Sequence, residues 1–216
     1  MNKIIVLFDG YSYFKEDDPN TMLANCSCVL VKANDNINLI VDTMTAWDKD
    51  KLIEKLNEID VHPEEVNYVI CTHSHSDHIG NNNLFLNAKH FVGNQVSHKN
   101  EYYSIDFAKP YQLTDDIQII STPGHTNECI SVLVRNSNLT NGDDGIVAIV
   151  GDLFEKEEDI LDPNLWISAG SFDTKLQKEN RYRIANKAKI IIPGHGKLFH
   201  VTENYLTILE DNKKLN

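Results

Sequence analysis

The chain has 216 residues, 41% apolar and 24% charged, with 20 basic against 32 acidic residues and a net charge of −12. This is ordinary globular composition, long enough to bury a core without disulfide staples, and it predicts one domain over residues 1–216. The acidic balance argues against a broad nucleic-acid surface, and DNA is not expected as a partner, because phosphate contacts need Lys and Arg. No run of about 18 apolar residues is present, so no membrane span is expected.

The N-terminal MNKIIVLFDG holds an apolar run of five residues, Ile4 to Phe8, too short for a secretory leader, and reads as a first strand. Further Val- and Ile-rich runs bounded by Gly, Pro, Asn or Asp predict strands at Asn25–Val31, Ile37–Val41, Asn67–Cys71, His90–Val92, Ile117–Ser121, Ile130–Val134, Ile146–Val150 and Ile190–Ile192. Leu52, Ile53, Leu56 and Ile59 have helical spacing. A second helix is expected after His78. A third covers Thr174 to Lys187 with Asp173 as N-cap, and a fourth covers Glu203 to Leu209. Residues 136–145, NSNLTNGDDG, read as a hairpin turn. Strands in hairpins followed by alternating strands and helices suit two packed sheets with helices outside. An internal echo, IQIISTPGHT against AKIIIPGHG, predicts two similar halves with His125 and His195 at equivalent strand ends.

Cys26, Cys28, Cys71 and Cys129 form no CxxC pair and read as buried free thiols of a reducing compartment. Cytosolic residence is the expectation, with nuclear access open.

The chemistry concentrates in CTHSHSDHIGNNNLF, Cys71 to Phe85. His73 and His75, two apart just past a strand, face one way on extended backbone and can grip one metal. Asp77 and His78 follow where the chain turns into a helix, so they point elsewhere and serve a second. The missing donors stand after other strands: His125 in STPGHT, Asp152 in VAIVGDLF and His195 in IIIPGHGKLF. The set is five His and two Asp without Cys, unlike closed, cysteine-rich structural zinc sites. It divides into His73, His75 and His125 for one metal and Asp77, His78 and His195 for the other, with Asp152 between. Two divalent ions about 3.5–4 Å apart would activate water near neutral pH and polarise a substrate oxygen. The resulting cationic pocket favours a small anionic or electron-rich acyl or phosphoryl substrate.

THSHSDH, with His125, Asp152 and His195 in order, resembles the HxHxDH pattern of the metallo-β-lactamase superfamily over nearly the whole chain. The resemblance implies a mixed α/β (α+β) fold, an αββα four-layer sandwich with a binuclear site at one sheet edge. It also implies two zinc ions per chain, with iron or manganese as alternatives, and a catalytic role for Asp77 in orienting the hydroxide. No Cys replaces a ligand, only 21 residues follow His195, and 42 separate it from Asp152. These departures set aside the best-known lactamase branch, the C-terminal domain of typical glyoxalase II enzymes, and the large insertion of many RNA-cleaving relatives.

THSHSDHIGNNNLF, STPGHT, GDLFE, Trp166, RYR before a strand and IIPGHGKLF together resemble one narrower branch. That likeness implies a zinc-dependent endoribonuclease acting on histone pre-mRNA 3′ ends, cytosolic and nuclear, and a homodimer. The alternatives are a glyoxalase II-like thioester or lactone hydrolase, a persulfide dioxygenase using one iron, and a non-enzymatic metal-binding partner protein.

Around this set, Lys175, Lys178, Arg181, Arg183, Lys187 and Lys189 read either as an RNA-backbone patch or as a solvated helix face. Glu155 to Asp159, EKEED, reads as an acidic rim or a mobile loop. Trp166 is a substrate wall or a core anchor. His98 and His62 read as ordinary surface residues, and Cys71 as buried in its strand.

Overall fold

Alternating Val and Ile make strands with two apolar faces, and such strands need cover on both sides. The computed structural model describes residues 1–34, 36–141 and 144–214. In chain order, the first half gives β1 (Lys3–Phe8), a separate hairpin of β2 (Tyr11–Phe14) and β3 (Met22–Asn25), β4 (Cys28–Lys32), β5 (Asn38–Val41), α1 (Lys49–Glu58) and β6 (Tyr68–Cys71). Then come α2 (Ser76–Ile79), β7 (Lys89–Val92), β8 (Gln95–His98) and β9 (Glu101–Ser104). The second half gives β10 (Tyr111–Thr114), β11 (Ile117–Ser121), β12 (Ile130–Val134), β13 (Ile146–Gly151), α3 (Asn164–Ala169), α4 (Thr174–Ala185), β14 (Ala188–Pro193), β15 (Phe199–His200) and α5 (Glu203–Lys214).

The first sheet has the order β1-β4-β5-β6-β7-β8-β9, and the second is β10-β11-β12-β13-β14-β15. Val29, Val31, Val41 and Ile70 of the first face Ile119, Val132, Ile149 and Ile192 of the second in one buried cluster. The outer faces are covered separately. Leu52 and Leu56 of α1 pack on Leu30, Ile40 and Val69, while Ile184 of α4 and Leu209 of α5 pack on Leu133, Ala148 and Ile191. This is the αββα sandwich the family resemblance implies.

The strand directions place the site. Strands β5, β6 and β7 run parallel, as do β13 and β14, and β11 shares their direction because it is antiparallel to β12, which is antiparallel to β13. The segments leaving β5, β6, β11, β13 and β14 supply the residues of the site described below. The echo between β11 and β14 therefore does not divide the chain into two half-sheets, since both strands lie in the second sheet.

Other expectations need correction. The strand expected over Asn25–Val31 starts at Cys28, because Asn25 ends β3. No long helix follows His78: α2 already includes it, and the chain then makes a short 3₁₀ turn at Asn82–Leu84. The Asn81 side chain donates to the carbonyls of Thr43 and Thr45, tying this segment across to the β5 side instead of continuing a helix. The hairpin β2–β3, strands β8 to β10 and β15, and the helix α3 were not expected. In the turn over 136–145, β12 and β13 pair antiparallel as predicted, while residues 142 and 143 lie outside the described residues. The four cysteines are buried free thiols, Cys71 in its strand.

The basic segment on α4 is only partly solvated. Arg181 is 2% exposed and forms an ion pair with buried Asp159, its Nη1 donating to the Leu153 carbonyl at 2.9 Å and to Asp159 Oδ2 at 3.0 Å. Its guanidinium stacks 4.0 Å from the Phe154 ring centroid, with Trp166 at 5.1 Å. Trp166 is thus a core anchor, buried at 2% exposure. The EKEED segment is neither a simple rim nor a mobile loop: Glu155 and Asp159 are buried, and Glu157–Ile160 is a 3₁₀ turn pinned by Arg181. Removing one partner leaves an uncompensated buried charge, so Arg181→Ala is expected to cost about 3–5 kcal/mol of stability in chemical denaturation.

Candidate metal centre

Each predicted donor follows a strand end, and the sandwich brings all seven together. His73 and His75 follow β6, Asp77 and His78 lie in α2, His125 follows β11, Asp152 directly follows β13, and His195 follows β14. Ring nitrogens and carboxylate oxygens fall into two adjoining groups, His73–His75–His125–Asp152 and Asp77–His78–His195, with the donor atoms of each group within 4.8 Å of one another. Asp152 is the junction. Its carboxylate oxygens lie 3.3–3.4 Å from Nε2 of His73, His78, His125 and His195. His75 is the exposed member, and Asp77 is partly buried.

Glycines make room for the site, one beside Thr72 and one beside Asp152. Gly151 has φ +53°, which L side chains rarely adopt, and a Cβ there would stand 2.2 Å from Thr72 Oγ1. A Cβ on Gly194 would stand 1.9 Å from Asp152 Oδ1.

The outward nitrogens of four histidines are occupied, which fixes their tautomers. His125 Nδ1 donates to the Gly170 carbonyl at 2.7 Å, and His195 Nδ1 lies 3.0 Å from the Asn25 carbonyl and 3.2 Å from that of Tyr11. His78 Nδ1 donates to Asp42 Oδ2 at 2.9 Å. His73 Nδ1 lies 3.1 Å from the Thr72 hydroxyl, which itself donates to Asp42. With Nδ1 carrying the proton, Nε2 is the nitrogen each ring turns to the centre, and it offers a lone pair there whenever the ring is neutral. Asp42, at the end of β5 with φ +59°, so orients one histidine of each group. Its role is absent from the sequence reading, as are those of Thr72 and the carbonyls of Tyr11, Asn25 and Gly170. An Asp two residues before Met44 carries no motif, and a carbonyl carries no residue identity. Of the bystanders, His98 ends β8 opposite Glu101, and His62 caps a short turn at Pro63–Glu65.

This donor set fits metal ions. His75 Nδ1 lies 2.9 Å from His73 Nε2 and 3.1 Å from His125 Nε2. One proton on His75 Nδ1 is shared between two lone pairs, whereas one cation satisfies all three. His78 Nε2 and Asp152 Oδ1 face each other at 3.3 Å, buried, and neither has a hydrogen-bond partner among the described residues. Buried polar atoms are rarely left so.

The ionisation pattern agrees. Burial lowers His73, His75 and His125, leaving neutral imidazoles. Burial alone would also lower His78 and His195. There the Asp152 carboxylate, helped by Asp42 at His78 and by Glu155 at His195, outweighs it: His78 is raised well above its usual value and His195 to about 9. Asp152 is held well below the usual carboxylate range by His195, His78 and His73 despite its burial. Burial and then the Asp152 charge push Glu155 up to about 8. Coordination needs neutral imidazole, so metal binding at pH 7 is expected to release protons, seen as a buffer-dependent binding enthalpy, and apparent affinity is expected to rise with pH toward 9. Asp42→Ala is expected to weaken binding by about 10–100-fold, measured by competition with a chelator.

Comparison with known proteins supplies the family. A profile described as the metallo-beta-lactamase superfamily matches residues 22–116. The metallo-beta-lactamase domain-containing protein 1 of Xenopus laevis is 36% identical over 207 residues, covering 94% of this chain and 83% of that protein. Among solved structures, a metallo-β-lactamase-like protein of Thermotoga maritima superposes with a TM-score of 0.67 at 20% identity, covering 92% of this chain and 99% of that one. A dizinc quorum-quenching lactonase superposes with a TM-score of 0.61 at 17% identity, covering 81% and 73%. Sequence likeness across most of both chains, the sandwich and the order of the seven donors agree, and the chain belongs to the metallo-β-lactamase superfamily.

Proposed function

We propose that this chain is a two-metal hydrolase of an acyl compound: an ester, thioester or lactone. Membership of the superfamily supports a metal-dependent hydrolase, and the acyl assignment rests on the wall of the site. A cavity of about 430 Å³ opens beside His75 and His125, and Ser74, Glu128, Gly170 and Phe172 help to line it. No Lys or Arg lines it among the described residues. Phe172 is 71% exposed and offers an apolar surface to a substrate. Partial burial opposes ionisation of Glu128, but the Ser74 hydroxyl, donating at 2.9 Å, holds its carboxyl below the usual range. An ionised carboxylate at the mouth repels a phosphate backbone and tolerates a neutral acyl group.

His73, His75, His125 and Asp152 would hold one ion, and Asp77, His78, His195 and Asp152 the other. Ions bound there would supply Lewis-acid chemistry, making water acidic near neutral pH and polarising a carbonyl oxygen. Asp77 Oδ2, 3.7 Å from His78 Nε2 and 3.8 Å from His195 Nε2, is the partly exposed carboxylate between centre and solvent. It orients the attacking water and accepts its proton. Asp42 and the carbonyls of Tyr11, Asn25 and Gly170 keep the imidazoles from turning as charge develops. A dizinc lactonase and an N-acyl homoserine lactonase among similar proteins act on acyl substrates, which supports this reading.

RNA, the substrate implied by the narrower resemblance, is the competing class. The segment that would track its backbone has Arg181 buried in an ion pair and Arg183 donating to the Ser121 carbonyl. A panel of a thioester, a lactone, a simple phosphodiester and a histone-type RNA separates the two. Turnover is expected on the acyl substrates, and cleavage of RNA without acyl turnover would overturn the assignment. Metal content is measured on the same sample, since one iron per chain with oxygen uptake on glutathione persulfide would point to a dioxygenase. Asp77→Ala is expected to lower kcat by about 10²–10⁴-fold with the fold unchanged by circular dichroism.

A further inference from the structure

Glu155 belongs to neither donor group described above, yet it is 2% exposed and stands beside both Asp152 and His195. Its backbone is held on both sides. The amide donates to Asp159 Oδ2 at 2.7 Å, and the carbonyl accepts from the His195 amide at 2.7 Å. The carboxylate lies with Oε2 3.9 Å from His195 Nε2, and one donor atom each of Asp152, Glu155 and His195 falls within 4.8 Å of the others.

Among the described residues that carboxylate has one marginal hydrogen bond. The Ser12 hydroxyl reaches it at 3.5 Å, the outer limit of a hydrogen bond. Lys156, next in the chain, donates instead to the Ser12 carbonyl. His195 is its ion-pair contact among the described residues. Beside it, Asp152 Oδ1 is buried with no hydrogen-bond partner. Asp152 and Glu155 lie buried side by side with no Lys or Arg paired to either among the described residues, and a dication placed against both would supply that missing positive charge.

We propose that Glu155 is a further carboxylate of the second metal position, acting with Asp77, His78, Asp152 and His195. The inference rests on the two-metal reading above. It makes the two positions chemically unequal. The first offers three imidazoles and a share of Asp152. The second offers two imidazoles and three carboxylates. Oxygen donors suit harder ions, so the second position accepts Mn²⁺ more readily, relative to Zn²⁺, than the first does.

The test uses the full chain, stripped with chelator and reloaded with Zn²⁺ or Mn²⁺ alone at graded free-ion concentrations, with ions per chain read by elemental analysis. Wild type is expected to take up two ions. Glu155→Gln is expected to keep the first at wild-type affinity and to weaken the second by about 10–100-fold, with the larger loss for Mn²⁺. If Glu155→Gln does not fold by circular dichroism, Glu155→Asp, one methylene shorter, replaces it with the same expectation. Unchanged uptake of both ions, or equal weakening of both, overturns the role of Glu155 and leaves the two-metal reading standing. Wild-type uptake of fewer than two ions overturns that reading and this inference with it.

Discussion

The Asp152 carboxylate is buried at the meeting point of the two sheets, with four imidazole nitrogens 3.3–3.4 Å away. An ionised group so placed is unfavourable unless opposite charge surrounds it. The fold is arranged to bring that charge. Strands of both sheets point their carboxyl ends at this spot, glycines at 151 and 194 clear the space, and Arg181 with Asp159 pins the segment that follows. Without metal, protons on His78 and His195 supply the positive charge. A metal ion bound there would take over that role and displace those protons.

The same constraint explains the division of labour among the histidines. Where burial, helped by neighbouring imidazoles, outweighs the Asp152 charge, at His73, His75 and His125, the rings are neutral. Those flanked by extra carboxylates, His78 and His195, hold protons. The two groups therefore differ before any ion arrives, one imidazole-rich and the other carboxylate-rich. A single bridging residue lets them differ while remaining in contact.

The clustering of five His and two Asp and the two-sheet core were legible in the sequence because both leave side-chain signals. His and Asp side chains placed just after apolar strands stand out in a sequence, and a buried strand must be apolar. His73 to His78, His125, Asp152 and His195 thus announced themselves, as did the β11 to β14 strands. What was hidden works through other means. Asp42 gains its role from a positive φ after β5 and from contacts 30 and more residues away in sequence. Arg181 sits among lysines in a helix whose charge pattern reads as solvated, and only tertiary packing on Phe154 and Trp166 buries it. The strands β2, β3, β8, β9, β10 and β15 carry no run of Val and Ile to mark them, and polar or aromatic residues interrupt them. Glu155 looked like the start of an acidic run because burial cannot be read from composition.

The backbone support of His125 and His195 has a consequence for how such a site can change. The carbonyls of Gly170, Tyr11 and Asn25 do the aligning, and every amino acid brings the same carbonyl. Tyr11, in the exposed β2–β3 hairpin, and the neighbours of Gly170, which include Phe172 at the cavity mouth, are therefore free to exchange side chains without turning an imidazole. On the proposed function, substrate preference and metal retention would be written in different parts of the same residues. A lineage built on this scaffold can revise the first repeatedly while inheriting the second intact.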